Sequence, residues 1–309
     1  MTRFPPAAPA AVLLTALPAL LLLCQARPAA RAAADEEPKP LKVVNLDCNT
    51  QADEDDPHVS SNNLMLFCTS NAQKKLDLMA SKRASSSAKW PAPKSIQDVF
   101  GYYVHTPADD RSVFVTPDGT YPQYLYYATK LDEKGDNFDL YVTYRNGPTK
   151  DYAPPEAVMV VDTPADEIAP WLTKDGKTLY FSRKTKDGWR VFTATRKKAT
   201  GGQGFEHPVL VDELPPDFYH ATLTSDGGTM YLQGPLDKGR TGLFVSTKSG
   251  KTWGKPEALG RLNDPSGPTG DRSPCLSRDG ATLYFASDRD GGKGGLDLYS
   301  VSALGLKKQ

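Results

Sequence analysis

Short apolar runs of strand length alternate with tight polar turns along most of the chain, and this pattern repeats. Leu, Tyr, Phe and Val dominate the runs, while Asp-Gly or a related pair occupies the turn between two of them. Two such runs around Asp-Gly are the strongest short-range signal for a β-hairpin, so each copy predicts two antiparallel strands. The turn anchors recur at intervals of 51–57 residues: Asn62, Asp118, Asp175, Asp226 and Asp279.

Five copies of this unit align along the chain. The clearest span residues 169–183 and 273–287, a third spans 221–232, and looser copies span 113–127 and 57–68. A third strand is predicted after each hairpin, at 76–79, 138–141, 190–192, 242–245 and 296–299. A Pro-led apolar segment then predicts an outer strand, at 155–161, 207–211 and 255–259, because a sheet edge tolerates proline. A repeat of this length indicates a propeller.

The last unit lacks an outer strand, and segment 41–47 has the missing strand's pattern. Pairing that segment with the last blade would close the ring and remove an exposed edge. We therefore predict an all-β fold, a single propeller of five four-stranded blades over residues 35–309. The repeats lie near 53–108, 109–165, 166–216, 217–270 and 271–309. The alternative is a sixth blade between Pro91 and Asp110, but that stretch is too short for four strands.

The repeats resemble the WD40-like β-propeller repeat of TolB-type proteins. The best match is Leu283-Tyr-Phe-Ala-Ser-Asp-Arg-Asp-Gly-Gly-Lys-Gly-Gly-Leu-Asp-Leu-Tyr299, which looks like the version found in bacterial envelope proteins. The match weakens in the first unit, where Asn62-Asn63 replaces Asp-Gly, and in the second, which has a longer turn. The resemblance implies a propeller that binds rather than catalyses, and it names no ligand.

The N-terminal segment predicts export from the cytoplasm. Arg3 precedes an apolar stretch at 11–23, and Ala32-Ala33-Ala34 before Asp35 offers a cleavage site. About 13 apolar residues suit a signal peptide better than a membrane span, which needs about 20, so we expect residues 1–34 to be removed. The mature protein would then be periplasmic or extracellular, without a transmembrane span. Cys24 ends the apolar stretch and offers a lipid anchor as an alternative, although Leu23 fits that signal poorly.

Composition excludes several classes of protein. The 37 basic and 37 acidic residues balance, which excludes a strongly basic nucleic-acid binder. Four histidines without metal-ligand spacing predict no metal site, and we expect no cofactor. After cleavage three cysteines remain, Cys48, Cys68 and Cys275, so at most one disulfide forms and its pairing stays open.

Acidic residues precede the first strand of every unit and are the main candidate ligand-binding residues. They are Asp53, Glu54, Asp109, Asp110, Asp166, Glu167, Asp217 and Asp271. Since first strands line the channel of a propeller, these side chains would form a ring near one mouth and bind a cation or a basic segment. The alternative is structural: each carboxylate accepts hydrogen bonds from nearby backbone and ties one blade to the next. Repetition in every unit favours this structural role.

Two histidines break the symmetry of the repeat. His58 occupies a position that Phe114, Trp171 and Cys275 fill in other units, where we expect core packing, and His220 begins a first strand. Both are ligand-binding candidates near the acidic ring, the alternative being histidines satisfied at the surface. No residue emerges as catalytic, because the chain contains no nucleophile elbow, phosphate-binding loop or zinc-protease motif.

The functional hypothesis from sequence is an exported, non-enzymatic propeller that binds an envelope protein or glycan through loops at a channel mouth. The alternative is a carbohydrate-active hydrolase or lyase with its site over the channel, where blades bring several loops to one axis. A carboxylate pair in one deep pocket would favour the hydrolase, because glycoside hydrolysis uses two carboxyl groups at a defined separation. A shallow face with scattered polar groups would favour the binding module.

Overall fold

The computed structural model describes residues 40–101, 104, 106–131, 136–198 and 201–308, and these residues form a five-bladed β-propeller. Each blade is an antiparallel sheet, and its strands follow one another in chain order from the channel to the outer edge. Blade 1 contains β2 to β5: Glu54–Val59, Met65–Ser70, Asp77–Lys82 and Lys94–Ser95. Blade 2 contains β6 to β9: Asp110–Val115, Gln123–Thr129, Asp139–Arg145 and Glu156–Ala157.

The other three blades share this order of strands, although blade 4 has one strand more and blade 5 takes its fourth strand from the N-terminal segment. Blade 3 contains β10 to β13: Glu167–Leu172, Thr178–Thr185, Gly188–Thr195 and Val209–Leu210. Blade 4 contains β14 to β18: Tyr219–Leu223, Thr229–Pro235, Thr241–Ser249, Thr252–Trp253 and Glu257–Ala258. Blade 5 contains β19 to β21: Asp271–Leu276, Thr282–Ser287 and Asp297–Ser302.

The ring closes through the N-terminal strand, as the sequence predicted. Strand β1 (Val44–Asn45) pairs antiparallel with β21 and supplies the fourth strand of blade 5. The stretch proposed as a sixth blade contains β5 and a short helix, α1 (Ile96–Phe100), and adds no further sheet among the described residues. Two short 3₁₀ helices, Asp237–Gly239 and Ala303–Lys308, complete the described elements. None of these helices is long and apolar enough to cross a membrane.

The core lies between blades rather than within one central mass. Five clusters of buried apolar side chains each join two neighbouring sheets, as expected where twisted sheets pack face to face. Between blades 2 and 3, for example, Tyr126 and Leu140 pack with Leu179 and Phe181. Cys48, Cys68 and Cys275 belong to the cluster between blades 5 and 1, where all three are buried free thiols.

The first strands of the blades contact one another in a ring and enclose the channel. Every first strand contains a bulge, seen as a shift in its pairing with the second strand. One residue at each bulge has a left-handed backbone with φ between 50° and 57°: Asp56, Ser112, Ala169, His220 and Ser273. Because the bulge inserts one residue, the side-chain alternation changes face halfway along the strand. The two ends of the channel therefore receive side chains from different sets of positions.

Candidate functional site

The strand-start mouth is the end of the channel where the first strands begin. It opens into a cavity of about 300 Å³. The residue just before the bulge lines this cavity in all five blades: Asp55, Arg111, Ile168, Tyr219 and Arg272. Asp53, Asn71 and Trp189 add to the wall, and His220 and Ser273 lie deeper. The arrangement concentrates two carboxylates, two guanidinium groups and two aromatic rings at one end of the channel.

Asp56 is the buried centre of the polar network below this cavity. Arg111 donates two hydrogen bonds to the Asp56 carboxylate, from Nε to Oδ2 and from Nη2 to Oδ1, each 2.9 Å long. The hydroxyls of Thr69 and Ser273 also donate to its carboxylate, at 3.0 and 3.3 Å. Burial alone would raise the pKa of Asp56, but the Arg111 guanidinium outweighs it and holds the pKa well below its usual range.

Asp55 lies nearer the solvent and faces both arginines. Its Oδ2 is 3.6 Å from Arg111 Nη2 and 3.2 Å from Arg272 Nε. The second contact is an ion pair without hydrogen-bond geometry, since Arg272 Nε is buried and has no hydrogen-bond acceptor among the described residues. Its Oδ1 accepts the backbone N–H of Asp56 at 2.8 Å, so the Asp55 carboxylate is held by one hydrogen bond and by two arginines.

Two aromatic rings form one wall of the cavity. Trp189 and Tyr219 stack with ring centroids 5.0 Å apart and planes 10° from parallel, and both side chains are half-buried. Burial raises the pKa of the Tyr219 hydroxyl, so this group stays protonated at neutral pH and can donate a hydrogen bond. An aromatic wall beside a few convergent polar groups is typical of sites for small organic ligands.

His220 is a neutral member of the same network. Its Nε2 lies 3.7 Å from Asp56 Oδ1, but burial lowers the pKa of the imidazole despite that neighbour. His58 lies farther along the channel, where its Nε2 accepts a 3.1 Å hydrogen bond from the backbone N–H of Val115. Burial lowers the pKa of His58 to about 4. Both histidines are buried, so the expectation that they lie at the surface is wrong.

The predicted acidic residues occupy two repeated positions with different hydrogen bonds. Residues at the outer position accept a backbone N–H from the start of the preceding blade's third strand, each at 2.9 Å. These pairs are Asp53 with Leu296, Asp109 with Leu76, Asp166 with Phe138, and Asp217 with Trp189. At the joint between blades 4 and 5, Gly270 stands at this position and Asn263 Oδ1 accepts the N–H of Leu243 instead, at 2.7 Å.

Residues at the inner acidic position are buried and hold the loop just before their own strand. Glu54, Asp110 and Glu167 each accept the backbone N–H and the hydroxyl of a threonine four residues earlier: Thr50, Thr106 and Thr163. Asp271 accepts the backbone N–H of Asp264 at 2.8 Å and pairs with Arg289 at 2.7 Å. Of the ten predicted site residues, the structure brings only Asp53 and His220 into the lining of the strand-start cavity.

The residues that sequence reasoning missed lie between those acidic residues and the repeat proline. Asp55, Arg111, Tyr219 and Arg272 share one repeat position, yet four blades carry polar groups of different types there. The different side chains at this one position of an otherwise regular repeat could have indicated a functional site. The bulge prevented its use, because simple alternation does not show which face this position takes.

One acidic cluster has the donor atoms that a hard metal ion prefers, but it lies away from the channel cavities. Carboxylate oxygens of Asp139, Asp162 and Glu167 lie within 4.8 Å of one another at the joint between blades 2 and 3. Burial and the neighbouring Asp162 carboxyl raise the pKa of Asp139 to about 8, and Arg183 pairs with Glu167 at 2.6 Å. The retained proton and the arginine therefore offset much of the charge in this cluster.

Comparison with known proteins shows the fold. No protein-family model matches the chain, and no curated protein matches its sequence. An α-L-arabinofuranosidase from Podospora anserina, solved in complex with cellotriose, is 11% identical with a TM-score of 0.55, covering 85% of this chain and 94% of its own. An α-L-arabinofuranosidase from Lactobacillus brevis is 13% identical with a TM-score of 0.54, covering 81% and 90%. A TolB-like protein from Agrobacterium tumefaciens is 14% identical with a TM-score of 0.47, covering 84% and 89%.

These neighbours correct the main functional hypothesis from sequence. A TolB-type propeller is among the similar structures, and so are two α-L-arabinofuranosidases. Because enzymes share this fold, the hypothesis of a non-enzymatic binding propeller is contradicted. The error has a physical reason. The repeated acidic residues stabilise the joints between blades, whereas the polar cavity is lined by the residue just before the bulge of each first strand.

Proposed function

We propose that this protein is a carbohydrate-active hydrolase whose active site is the strand-start mouth. The observation that carries the proposal is the cavity of about 300 Å³ that holds Asp53 and Asp55 beside the stacked pair of Trp189 and Tyr219. A carboxylate pair in one cavity is the feature by which the two sequence hypotheses differ. A five-bladed fold shared with arabinofuranosidases is consistent with this assignment.

The two carboxyl groups come from neighbouring positions of the chain. Asp53 immediately precedes β2, Asp55 is its second residue, and both line the cavity. Glycoside hydrolysis uses two carboxyl groups, one to protonate the leaving oxygen and one to activate water or attack the anomeric carbon. This cavity supplies a pair of the required kind.

We assign the base to Asp55, because it lines the cavity and its orientation is fixed by the N–H of Asp56 and by two arginines. Arg111 and Arg272 lie on either side of it and hold it as an acceptor for a water proton. Asp53 is the second carboxyl. Its Oδ2 accepts a 2.6 Å hydrogen bond from Asn71 Nδ2 and its Oδ1 accepts the N–H of Leu296 at 2.9 Å, so both oxygens are held in place at the edge of the cavity. Trp189 and Tyr219 provide a flat apolar wall for a sugar ring.

The location of the enzyme is part of the proposal. The export signal predicted at residues 1–34, with its alternative anchor at Cys24, lies outside the described residues. Cleavage at Ala34 would place the propeller outside the cytoplasm, where its substrate would be an extracytoplasmic glycan. Mass spectrometry of the protein purified from its host would find an N-terminus at Asp35, and an intact Met1 would contradict this part of the proposal.

A turnover assay with matched variants tests the proposed active site. Wild-type protein, Asp55→Asn and Asp109→Asn are compared on a panel of plant and microbial polysaccharides and aryl glycosides, with released reducing sugar as the readout. We expect Asp55→Asn to lower kcat/KM by about 10²- to 10⁴-fold, the usual effect of removing a catalytic base. Asp109 is the control, because it caps Leu76 at a blade joint and does not line the cavity. No turnover of any glycan by wild type, or equal activity of the two variants, would overturn the proposal.

A further inference from the structure

The opposite end of the channel holds a second cavity with different chemistry. We call this end, where the first strands turn into their hairpins, the hairpin mouth. Its cavity is small, with a volume of about 40 Å³, and Phe114, Trp171 and the neutral imidazole of His58 are part of its lining. The charged groups in its lining are Arg278 and Lys174, and the lining contains no carboxylate. The lining of this mouth thus combines apolar side chains with two positively charged ones.

Arg278 is a half-buried cation without a counter-ion. Its guanidinium makes no ion pair and no hydrogen bond with the described residues, and burial lowers its pKa. Three other partly buried arginines pair with carboxylates: Arg111 with Asp56, Arg183 with Glu167 and Arg289 with Asp271. Others, such as Arg83 and Arg190, donate to backbone carbonyl oxygens instead. Taking an unpaired charge out of water is costly, so a cation in this setting is suited to receive an anion from outside the chain.

Neutral polar groups at the hairpin mouth are already donating elsewhere. The Ser61 hydroxyl donates to Asp118 Oδ2 at 2.9 Å, and the Ser225 hydroxyl donates to the carbonyl oxygen of Arg278 at 2.7 Å. His58 uses Nε2 as an acceptor, and its Nδ1 faces the Cys275 sulfur at 4.0 Å. The side-chain donors left for a ligand are therefore the charged ones, which match an acceptor-only group such as a carboxylate.

A groove continues from this cavity between the hairpin turns of blades 3 and 4. Trp171, Lys174 and Ser225 line both spaces, and the groove has a volume of about 590 Å³. Trp171 is half-buried and touches Phe114 and Tyr180 in edge-on contacts with centroids 6.3 and 5.9 Å apart. A flat apolar group can lie along this indole while its charged end reaches Arg278.

The far part of the groove limits the charge that an occupant can carry. Asp175 and Asp226 line it, and each Oδ1 accepts hydrogen bonds from its own turn, including a threonine hydroxyl at 2.6 and 2.5 Å. These carboxylates would repel a second anionic group at the distal end of a ligand. The groove is therefore suited to one negative charge at the channel end, followed by an uncharged body.

We propose that the hairpin mouth binds a small aromatic monocarboxylate, with the carboxylate beside Arg278 and the ring along Trp171. Arg278 supplies paired donors for the carboxylate, and Lys174 adds positive charge at the junction of cavity and groove. This site is separate from the proposed active site, at the other end of the channel, and does not depend on hydrolase activity.

Binding of cinnamate and its amide tests the proposal. Calorimetry and saturation-transfer NMR are run with cinnamate and with cinnamamide, which has the same shape without the charge. We expect saturable binding of cinnamate and at least tenfold weaker binding of the amide. Arg278→Gln should weaken cinnamate binding about ten- to hundredfold, as expected for loss of a charge-assisted hydrogen bond. Lys174→Gln should weaken it about threefold, because an exposed ammonium contributes less.

The matched control is Lys177→Gln, which removes a positive charge from the same turn as Lys174 but outside the cavity lining. Its cinnamate affinity should equal that of wild type, and near-UV circular dichroism checks that every variant is folded. Three results would overturn the proposal. They are no saturable binding of cinnamate up to its solubility limit, equal binding of the amide, or an equal effect of Arg278→Gln and Lys177→Gln.

Discussion

The two mouths of the channel differ in how their charges are compensated. At the strand-start mouth, Asp55 and Asp56 contact Arg111 and Arg272, so cations and anions satisfy one another within the chain. At the hairpin mouth, Arg278 lies over an apolar floor with no acidic partner among the described residues. The same propeller therefore has a cavity of paired charges at one end of its channel and an arginine without a carboxylate partner at the other.

This difference follows from the bulge in each first strand. Residues before the bulge carry polar groups in four of five blades, and they point into the strand-start cavity. The residues two positions beyond the bulge are mostly apolar or hydrogen-bonded to the next blade. They are His58, Phe114, Trp171, Thr222 and Cys275. Paired charges rigidify a site and fix its geometry, whereas an unpaired charge leaves free energy available for a ligand.

The largest expected difference between the mouths is in stability. Asp56→Ala should lower the free energy of unfolding by about 3–5 kcal/mol at pH 7, because it leaves the Arg111 guanidinium buried without its partner. Arg278→Gln should change it by less than about 0.5 kcal/mol, since no partner is lost. Chemical denaturation of both variants measures this contrast. Equal losses would show that Arg278 has a structural partner and would break the comparison.

The second expected effect is a loss of stability in mild acid that depends on His58. The pKa of its imidazole is lowered to about 4 by burial, against an ordinary value of 6.5, so the folded state resists protonation there. Stability is therefore complete above about pH 6.5 and declines as the pH falls toward 4. The decline is about 3 kcal/mol for a shift of this size.

His58→Gln separates this effect from other groups that titrate in the same range. The Gln amide oxygen can accept the N–H of Val115 but cannot take up a proton. The difference in unfolding free energy between wild type and this variant should narrow as the pH falls from 6.5 to 4. Curves that stay parallel would show that His58 does not titrate on unfolding.

The hairpins of each blade and the closure of the ring were predictable from the sequence, because both depend on local, repeated signals. Asp118, Asp175, Asp226 and Asp279 marked hairpin turns, and the orphan segment at 41–47 marked the closing strand that β1 forms. These signals are local: Asp-Gly turns and alternating apolar residues specify hairpins without reference to the rest of the chain.

The candidate site was less predictable, because its geometry depends on the bulge. Asp56, Ser112 and His220 take left-handed backbone without any glycine to signal it, and the inserted residue changes which face the next side chains take. Asp55 and Arg272 come together only when the ring closes blade 5 against blade 1. A contact that depends on closure of the whole ring leaves no trace in local sequence.

A smaller effect is expected at the blade joints that surround the strand-start mouth. Asp166→Ala removes the acceptor for the N–H of Phe138 and should cost about 1–2 kcal/mol of unfolding free energy, as for a donor left unsatisfied. Asp166→Asn keeps an amide oxygen in place and should recover most of that loss. Thermal and chemical denaturation of the pair measures the difference. Equal destabilisation by Asn and Ala would mean that the charge, rather than the hydrogen bond, ties these blades together.

The smallest effect is expected at the matching carboxylate near the hairpin mouth. Asp175 accepts the Thr173 hydroxyl and the N–H of Lys177 within a single exposed turn, so Asp175→Ala should cost only about 0.5 kcal/mol. The hydrogen bond from Thr173 lowers the pKa of Asp175, so this contribution is present above about pH 4 and fades as the carboxylate protonates in stronger acid. The denaturation midpoints of wild type and Asp175→Ala are measured at pH 7 and at pH 3. The difference between the two proteins should be smaller at pH 3. A loss as large as that of Asp166→Ala would show that the Asp175 turn contributes to a blade joint as strongly as the outer acidic residues do, and it would contradict this prediction.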